Sequence, residues 1–320
     1  MSNHIVNIIE KVPIPTAGVA LGLAALGNLL QPYTEVLHIA CGILSLFLVI
    51  MVGARIVMFP RSIREDLRNS ILASVSATLF MALMQLAVYI APLSNGVGFA
   101  LWVVALIAHL CLIGWFTFAF IAHFKLHEVF PTYFITYVGI IVACVTAPAF
   151  GMEALGRVFF WFGFTCYLIL LVVITYRHIK HPIPEPARPL FCIYAAPMSL
   201  SLAGYLSVME TPNALFIVIL AVLAQVLFAI VLFRLPHFLR LHFYPSYAAM
   251  TFPFVITAIA LKSALVFLAG DGYVVPEFFT ILVVLESALA TGMVFYVFGH
   301  YMRFFFRSEF AKKARESQAV

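Results

Sequence analysis

The sequence predicts an all-α integral membrane protein in which ten transmembrane helices pair as five hairpins and the odd-numbered helices are kinked around a central axis. Three observations carry this. The chain is 64% hydrophobic and only 10% charged, with a mean hydropathy of +1.10, whereas soluble domains are about a quarter charged. Its apolar runs are continuous, which excludes the alternating strands of a membrane β-barrel. Turn and charge signals then cut it into apolar segments at 14–30, 35–58, 71–92, 98–122, 131–150, 155–176, 190–209, 213–233, 246–268 and 277–301. About 20 helical residues cross the hydrocarbon core of a bilayer. No stretch is long or polar enough for a separate soluble domain, so residues 1–320 read as one transmembrane domain with short tails at about 1–12 and 304–320.

Taken in order, the segments differ in a regular way. The first opens on Pro13 and Pro15 and carries Gly18, Gly22 and Gly27. A short turn, Gln31–Thr34, leads into a smoother second segment. The third holds Met81, Met84 and Gln85 without an interior proline, and Pro92–Gly96 turns it into the fourth. Pro131 and Pro148 bracket the fifth, which contains Gly139; the seventh contains Pro197 and Gly204. Glu210–Pro212 joins the seventh to the eighth, and Pro253 interrupts the ninth. Glycine lets helices approach closely, and proline-broken backbone is tolerated in a membrane where protein or water satisfies it. The economical arrangement is five kinked inner helices with five smoother ones packing them against lipid.

Of the 18 Lys and Arg, all but Arg157 and Lys262 fall in one set of connections and tails, including Arg307, Lys312, Lys313 and Arg315 near the C-terminus. The opposite connections carry Glu35, Glu153, Glu210, Asp271 and Glu277. The positive-inside rule puts both termini in the cytoplasm of a cell with the protein in its inner membrane. The net charge of +5 therefore reflects topology and gives no reason to expect nucleic acid. Cys41, Cys111, Cys144, Cys166 and Cys192 stand singly in apolar runs, with neither disulfide nor zinc-site spacing. The N-terminus lacks the basic flank and cleavage site of a secretory signal, so its first apolar run reads as a permanent span.

The ninth segment is the most informative. In Ala248–Leu268, AAMTFPFVITAIALKSALVFL, Phe252 and Phe254 flank Pro253, and Lys262 brings a charge to membrane depth. Proline cannot donate to the carbonyl of Ala249 and its ring opens that turn. A broken helix with an aromatic at the break suits the waist of a transport pathway; the plainer reading is a kinked packing helix with lipid-facing phenylalanines.

Pro13–Leu30 (PIPTAGVALGLAALGNLL), Phe130–Ala143 (FPTYFITYVGIIVA), Ala196–Val208 (APMSLSLAGYLSV) and Phe252–Leu261 (FPFVITAIAL) resemble the tellurite-resistance/dicarboxylate transporter family. That family includes bacterial TehA proteins, yeast malate and sulfite carriers and plant guard-cell slow anion channels. The resemblance covers nearly the whole chain. It implies a pseudo-five-fold bundle with the odd helices lining a central pore, and a homotrimer with one pore per subunit. It makes Phe254 the ring that plugs the pore and Gly18 the residue that gives that ring room. Phe252, Pro253, Thr257, Pro197 and Pro148 would lie beside the gate or line the pore. The third segment departs from the family in lacking a proline, and Lys262 and Glu286 are not features of every member.

Two readings stand for Lys262 and Glu286, at roughly 9 and 14 Å from the outer turn at 1.5 Å per residue. One is an ion pair between neighbouring helices, since an unpaired charge there costs at least about 2.5–3.5 kcal/mol. The other makes Lys262 an attractor for an anionic substrate or Glu286 a proton-coupling group. Arg61, Arg64 and Arg68 reflect topology, or also concentrate anions at an inner mouth. His123 and His127 have the i,i+4 spacing of a metal pair but no third ligand, and His178 and His181 fare no better, so no metal is expected. His38, His109 and His300 read as structural. Thr16, Thr257, Ser199 and Ser201 either donate to an anion or bond back within their helices.

No hydrolase, kinase or nucleotide-binding motif appears, so neither an enzyme nor a cofactor is expected. The expected function is a channel or transporter that passes small anions across the lipid bilayer, occluded by Phe254. The alternative is a proton-coupled carrier for malate-like dicarboxylates, or a sulfite or tellurite carrier or exporter. A membrane scaffold that transports nothing is the third class. Chloride, nitrate, sulfite, tellurite and dicarboxylates all stay open as the anion.

Overall fold

A computed structural model describes the backbone of residues 2–318 and the side chains of residues 5–306. The basic residues expected in the C-terminal tail, Arg307, Lys312, Lys313 and Arg315, lie outside the described side chains. Every regular element among the described residues is helical. Eight helices are long and apolar enough to cross a membrane: α3 (Glu35–Met58), α5 (Ser70–Ile90), α6 (Asn95–Ile121), α9 (Glu153–Lys180), α10 (Glu185–Val208), α11 (Ala214–Phe238), α12 (Pro245–Gly270) and the apolar part, Glu277–Phe306, of α13. The last helix continues to Gln318. Shorter elements complete the chain: α1 (Ser2–Glu10), α2 (Thr16–Leu30), α4 (Pro60–Asp66), α7 (Tyr133–Tyr137) and α8 (Ile141–Phe150).

The first and fifth expected spans differ from the rest. With 15 residues, α2 is about 22 Å long at 1.5 Å per residue. The fifth is broken: the Phe134 carbonyl accepts from both Val138 and Gly139, and Ile141, Val142 and Ala143 bond back only three residues. Gly139 is required at this break. A Cβ there would sit 2.7 Å from the Met81 sulfur and closer still to the Ile135 carbonyl.

Side-chain burial separates two sets of helices. In α5, α10 and α12 between 56% and 83% of the apolar stretch is buried, against 28% to 39% in α3, α6, α9, α11 and α13. All of α2 except Asn28 and Leu30 is buried. The buried elements touch in a closed cycle: α2 against α5, α5 against α8, α8 against α10, α10 against α12, and α12 against α2. Each exposed helix lies over two of these neighbours, α3 on α2 and α5, α11 on α10 and α12, α13 on α12 and α2. Apolar side chains outside the cycle, such as Val57, Val172 and Phe233, are exposed, as expected where hydrocarbon replaces water.

Pro253 does not kink the middle of a helix. Residues Pro245–Met250 form a 3-10 helix, and the α-helix starts afresh at Phe252, with Pro253 in its first turn, where a missing N–H costs nothing. α10 follows the same plan: Glu185–Tyr194 is 3-10, and Pro197 lies in the first turn of the α-helical part, Ala195–Val208. α5, which lacks a proline, is interrupted at Ser76 between Ser70–Val75 and Ala77–Ile90, and the Ser76 hydroxyl donates to the Ala73 carbonyl at 2.6 Å. Every element of the inner cycle is thus irregular near its N-terminal end.

Close contact between α2 and α12 seals the cycle. The Thr251 hydroxyl donates to the Gly18 carbonyl at 3.1 Å, and a Cβ on Gly22 would lie 2.6 Å from the Thr251 Cβ. Replacing Gly22 by Val forces the helices apart, and overpacking of this kind costs about 1–3 kcal/mol. Gly22→Val is expected to lower the melting temperature of purified protein in detergent clearly. Gly292→Ala, at a glycine with nothing within 4 Å, should leave it unchanged. Equal melting of the two variants would show that the α2–α12 contact is not tight.

Candidate functional site

The irregular ends of the inner elements surround a cavity of about 340 Å³. Its wall takes Pro15, Gly18 and Leu21 from α2, Val75, Thr78 and Met81 from α5, and Phe134, Val138 and Gly139 from the broken fifth span. Ile193, Ala196, Pro197 and Leu200 of α10 and Ala248, Ala249, Phe252 and Pro253 of α12 complete it. Asn69, Pro184, Ala187 and Ser246 lie at the mouth, and Arg68 and Arg188 adjoin Asn69 and Ala187 in the chain. The mouth therefore faces the end of the bundle that carries the basic connections. Among the described residues, no charged side chain lines the cavity.

Phe252 lines the cavity and is 6% exposed; Phe254 is fully buried and absent from the wall. The Phe254 ring packs edge-on against Phe228 of α11, centroid to centroid 5.4 Å. Two residues on a helix differ by roughly 200° in direction, so the phenylalanines flanking Pro253 face opposite ways. The placement expected for Phe254 belongs to Phe252.

Gly18, Pro197 and Pro253 line the cavity. An added Cβ on Gly18 would come within 3.3 Å of the Ala248 Cβ, so the two walls are close here. Pro148 does not line it: this proline is exposed in the last turn of α8, Ala147–Phe150. Thr257 lies deeper than the cavity, fully buried, donating to the Pro253 carbonyl at 2.8 Å and 3.1 Å from the Ser199 hydroxyl. Ser199 and Ser201 bond back to Ala195 and Pro197. The Ser199–Thr257 contact ties α10 to α12, and the other bonds stay within each helix. Sequence inspection did not single out Leu21, Met81, Val138 and Leu200 as lining residues. Nothing in an apolar side chain distinguishes a cavity wall from a core contact.

Lys262 and Glu286 do not pair. The Lys262 ammonium lies 4.5 Å from the centre of the Tyr33 ring, a cation–π contact with the α2–α3 turn. Glu286 is 3% exposed on α13, and among the described residues neither carboxylate oxygen has a hydrogen-bond partner; the Gln225 amide of α11 lies beside it, short of bonding geometry. Neither residue lines the cavity. His38 stacks on Tyr89 at 4.1 Å, His300 stacks on Phe243 at 5.5 Å, and His109 lies 2.9 Å from the Thr136 carbonyl.

A family model described as voltage-dependent anion channel matches residues 11–302, which includes every element of the inner cycle. The chain is also 29% identical over 186 residues to a protein named as an uncharacterized transporter in Methanocaldococcus jannaschii. That alignment covers 52% of each, so the chain spans about half the length of this relative.

The engagement of Lys262 with Tyr33 and not with Glu286 gives a measurable expectation. Neighbouring ion pairs couple by about 0.5–3 kcal/mol in double-mutant cycles. For Lys262→Met and Glu286→Gln the effects on stability in detergent should add, leaving a coupling below about 0.5 kcal/mol. A larger coupling would restore the ion pair.

Proposed function

We propose, because the chain belongs to the voltage-dependent anion channel family, that it moves small anions across a membrane through a passage along the axis of the inner cycle. The resemblance to the tellurite-resistance/dicarboxylate family drawn from the sequence points the same way, towards transport and not catalysis. On this reading all ten apolar segments cross the bilayer as five hairpins, with α2 and the α7–α8 pair as its short and broken members. The mouth beside Asn69 and Ala187 faces the cytoplasm, in keeping with the positive-inside rule, and three subunits assemble, each with its own passage.

The observation that carries the proposal is the apolar cavity among the irregular turns of the inner elements, with Phe252 in its wall. A narrow apolar constriction stops ions by shedding water, without any charge. Phe252, with Leu21, Met81 and Leu200 around it, supplies such a closure. The basic connections at the mouth raise the local anion concentration, and an uncharged wall lets an anion enter without trapping it. The malate-type carrier would use Lys262 as a carboxylate partner on the axis. Its engagement with Tyr33 favours the channel.

Flux measured in proteoliposomes with chloride, nitrate and malate tests this. Phe252→Ala should raise chloride or nitrate flux at least about tenfold, the effect of lowering a barrier by about 1.4 kcal/mol. Phe254→Ala should leave flux unchanged and instead destabilise the fold, as deletion of a buried phenylalanine costs about 3–5 kcal/mol. Raised flux in Phe254→Ala alone would return the gate to Phe254. Saturable wild-type malate uptake that follows a pH gradient would replace the channel with a carrier.

A further inference from the structure

A second cavity of about 580 Å³ lies away from the axis, between the C-terminal ends of α9 and α11 and the start of α10. We propose that it holds the phosphate group of an anionic phospholipid. Arg188 and Arg234 line it with His178, His181 and His237, and no Asp or Glu is among its lining residues. Neither arginine has a carboxylate within 4.0 Å among the described residues. The carboxylate nearest Arg188 in the chain, Glu185, accepts instead from the Tyr244 hydroxyl at 2.9 Å. His178 places Nδ1 3.3 Å from both the Ile174 carbonyl and the Tyr194 hydroxyl, so it shapes the cavity while the arginines supply the donors.

Two unpaired guanidinium groups in one concavity suit a phosphate, which they grip through paired N–H donors. The surroundings make the source a lipid. The groove opens on the lipid-facing side of the bundle: Ile179 and Ile230 line it and are themselves 77% and 47% exposed. Leu171 and Leu227 continue an apolar wall towards the membrane interior, giving an acyl chain a surface below a phosphate held at the basic end. Basic pockets between membrane helices at the basic face hold anionic headgroups in this way.

Native mass spectrometry of purified protein loaded with phosphatidylglycerol or phosphatidylcholine tests the assignment. Wild type should retain phosphatidylglycerol in preference to phosphatidylcholine. The Arg188→Gln/Arg234→Gln variant should retain at least about tenfold less phosphatidylglycerol, the loss of about 1.4 kcal/mol of binding, while Arg157→Gln at the opposite end retains the wild-type amount. Melting of the double variant in phosphatidylcholine checks its fold. If it fails to fold, Arg188→Lys/Arg234→Lys, which keeps the charge and loses the planar fork, should still lose phosphatidylglycerol severalfold. Equal retention of the two lipids by wild type, or undiminished phosphatidylglycerol on a folded variant, overturns the proposal. Inorganic phosphate alone is the second arm. If it stabilises wild type as strongly as phosphatidylglycerol and leaves the variant unmoved, a free anion replaces the lipid and the lipid assignment falls.

Discussion

A peptide carbonyl surrounded by hydrocarbon must find its donor within the protein, and here that demand falls hardest on the inner elements. Each is irregular near its N-terminal end, at Pro15, Ser76, Gly139, Pro197 or Pro253, and each nevertheless lies in the apolar part of the bundle. Hydroxyls add bonds near these breaks: Ser76 donates to the Ala73 carbonyl, Thr257 to that of Pro253, and Thr251 across to that of Gly18. The rest follows from keeping such backbone away from lipid. Irregular turns gather around a shared cavity, and regular helices cover the outside.

That arrangement sets the character of the cavity. Its wall is made from the parts of the chain where helices are broken or closely packed, and those parts are small and apolar. Apart from Lys262 and Glu286, charge among the described residues lies towards the ends of the bundle, where water and headgroups solvate it. The combination of a basic mouth and a neutral interior is what the proposed anion passage, closed by dewetting, requires.

Buried charge is handled locally. The Arg55 guanidinium meets Asp66 at 2.8 Å and Ser62 at 3.0 Å within its own connection. Arg177, 2% exposed, lies 4.1 Å over the Phe130 ring and donates to the His127 carbonyl, while Lys262 turns to Tyr33. Aromatic faces and backbone carbonyls thus take the place of carboxylates for two of the three cations. Pairing Lys262 with Glu286 by depth alone fails because depth constrains one coordinate and leaves side-chain direction free.

Composition and charge placement determined the class of this protein. Continuous apolar runs, few charges and basic residues confined to alternate connections admit a bundle of membrane helices and little else, since hydrocarbon penalises every other arrangement. Glycine and proline are concentrated in the more buried elements, since close approach and broken backbone both need protein neighbours. Only tertiary structure decided which phenylalanine faces the cavity. Pro253 begins a new helix instead of bending an old one, and the phase of that helix, set by the 3-10 turns before it, points Phe252 inward and Phe254 towards Phe228. The break at Ser76 was likewise hidden, as no residue type enforces it. Rotational phase depends on contacts between distant segments, and a pattern of apolar residues that is apolar on all sides carries no record of it.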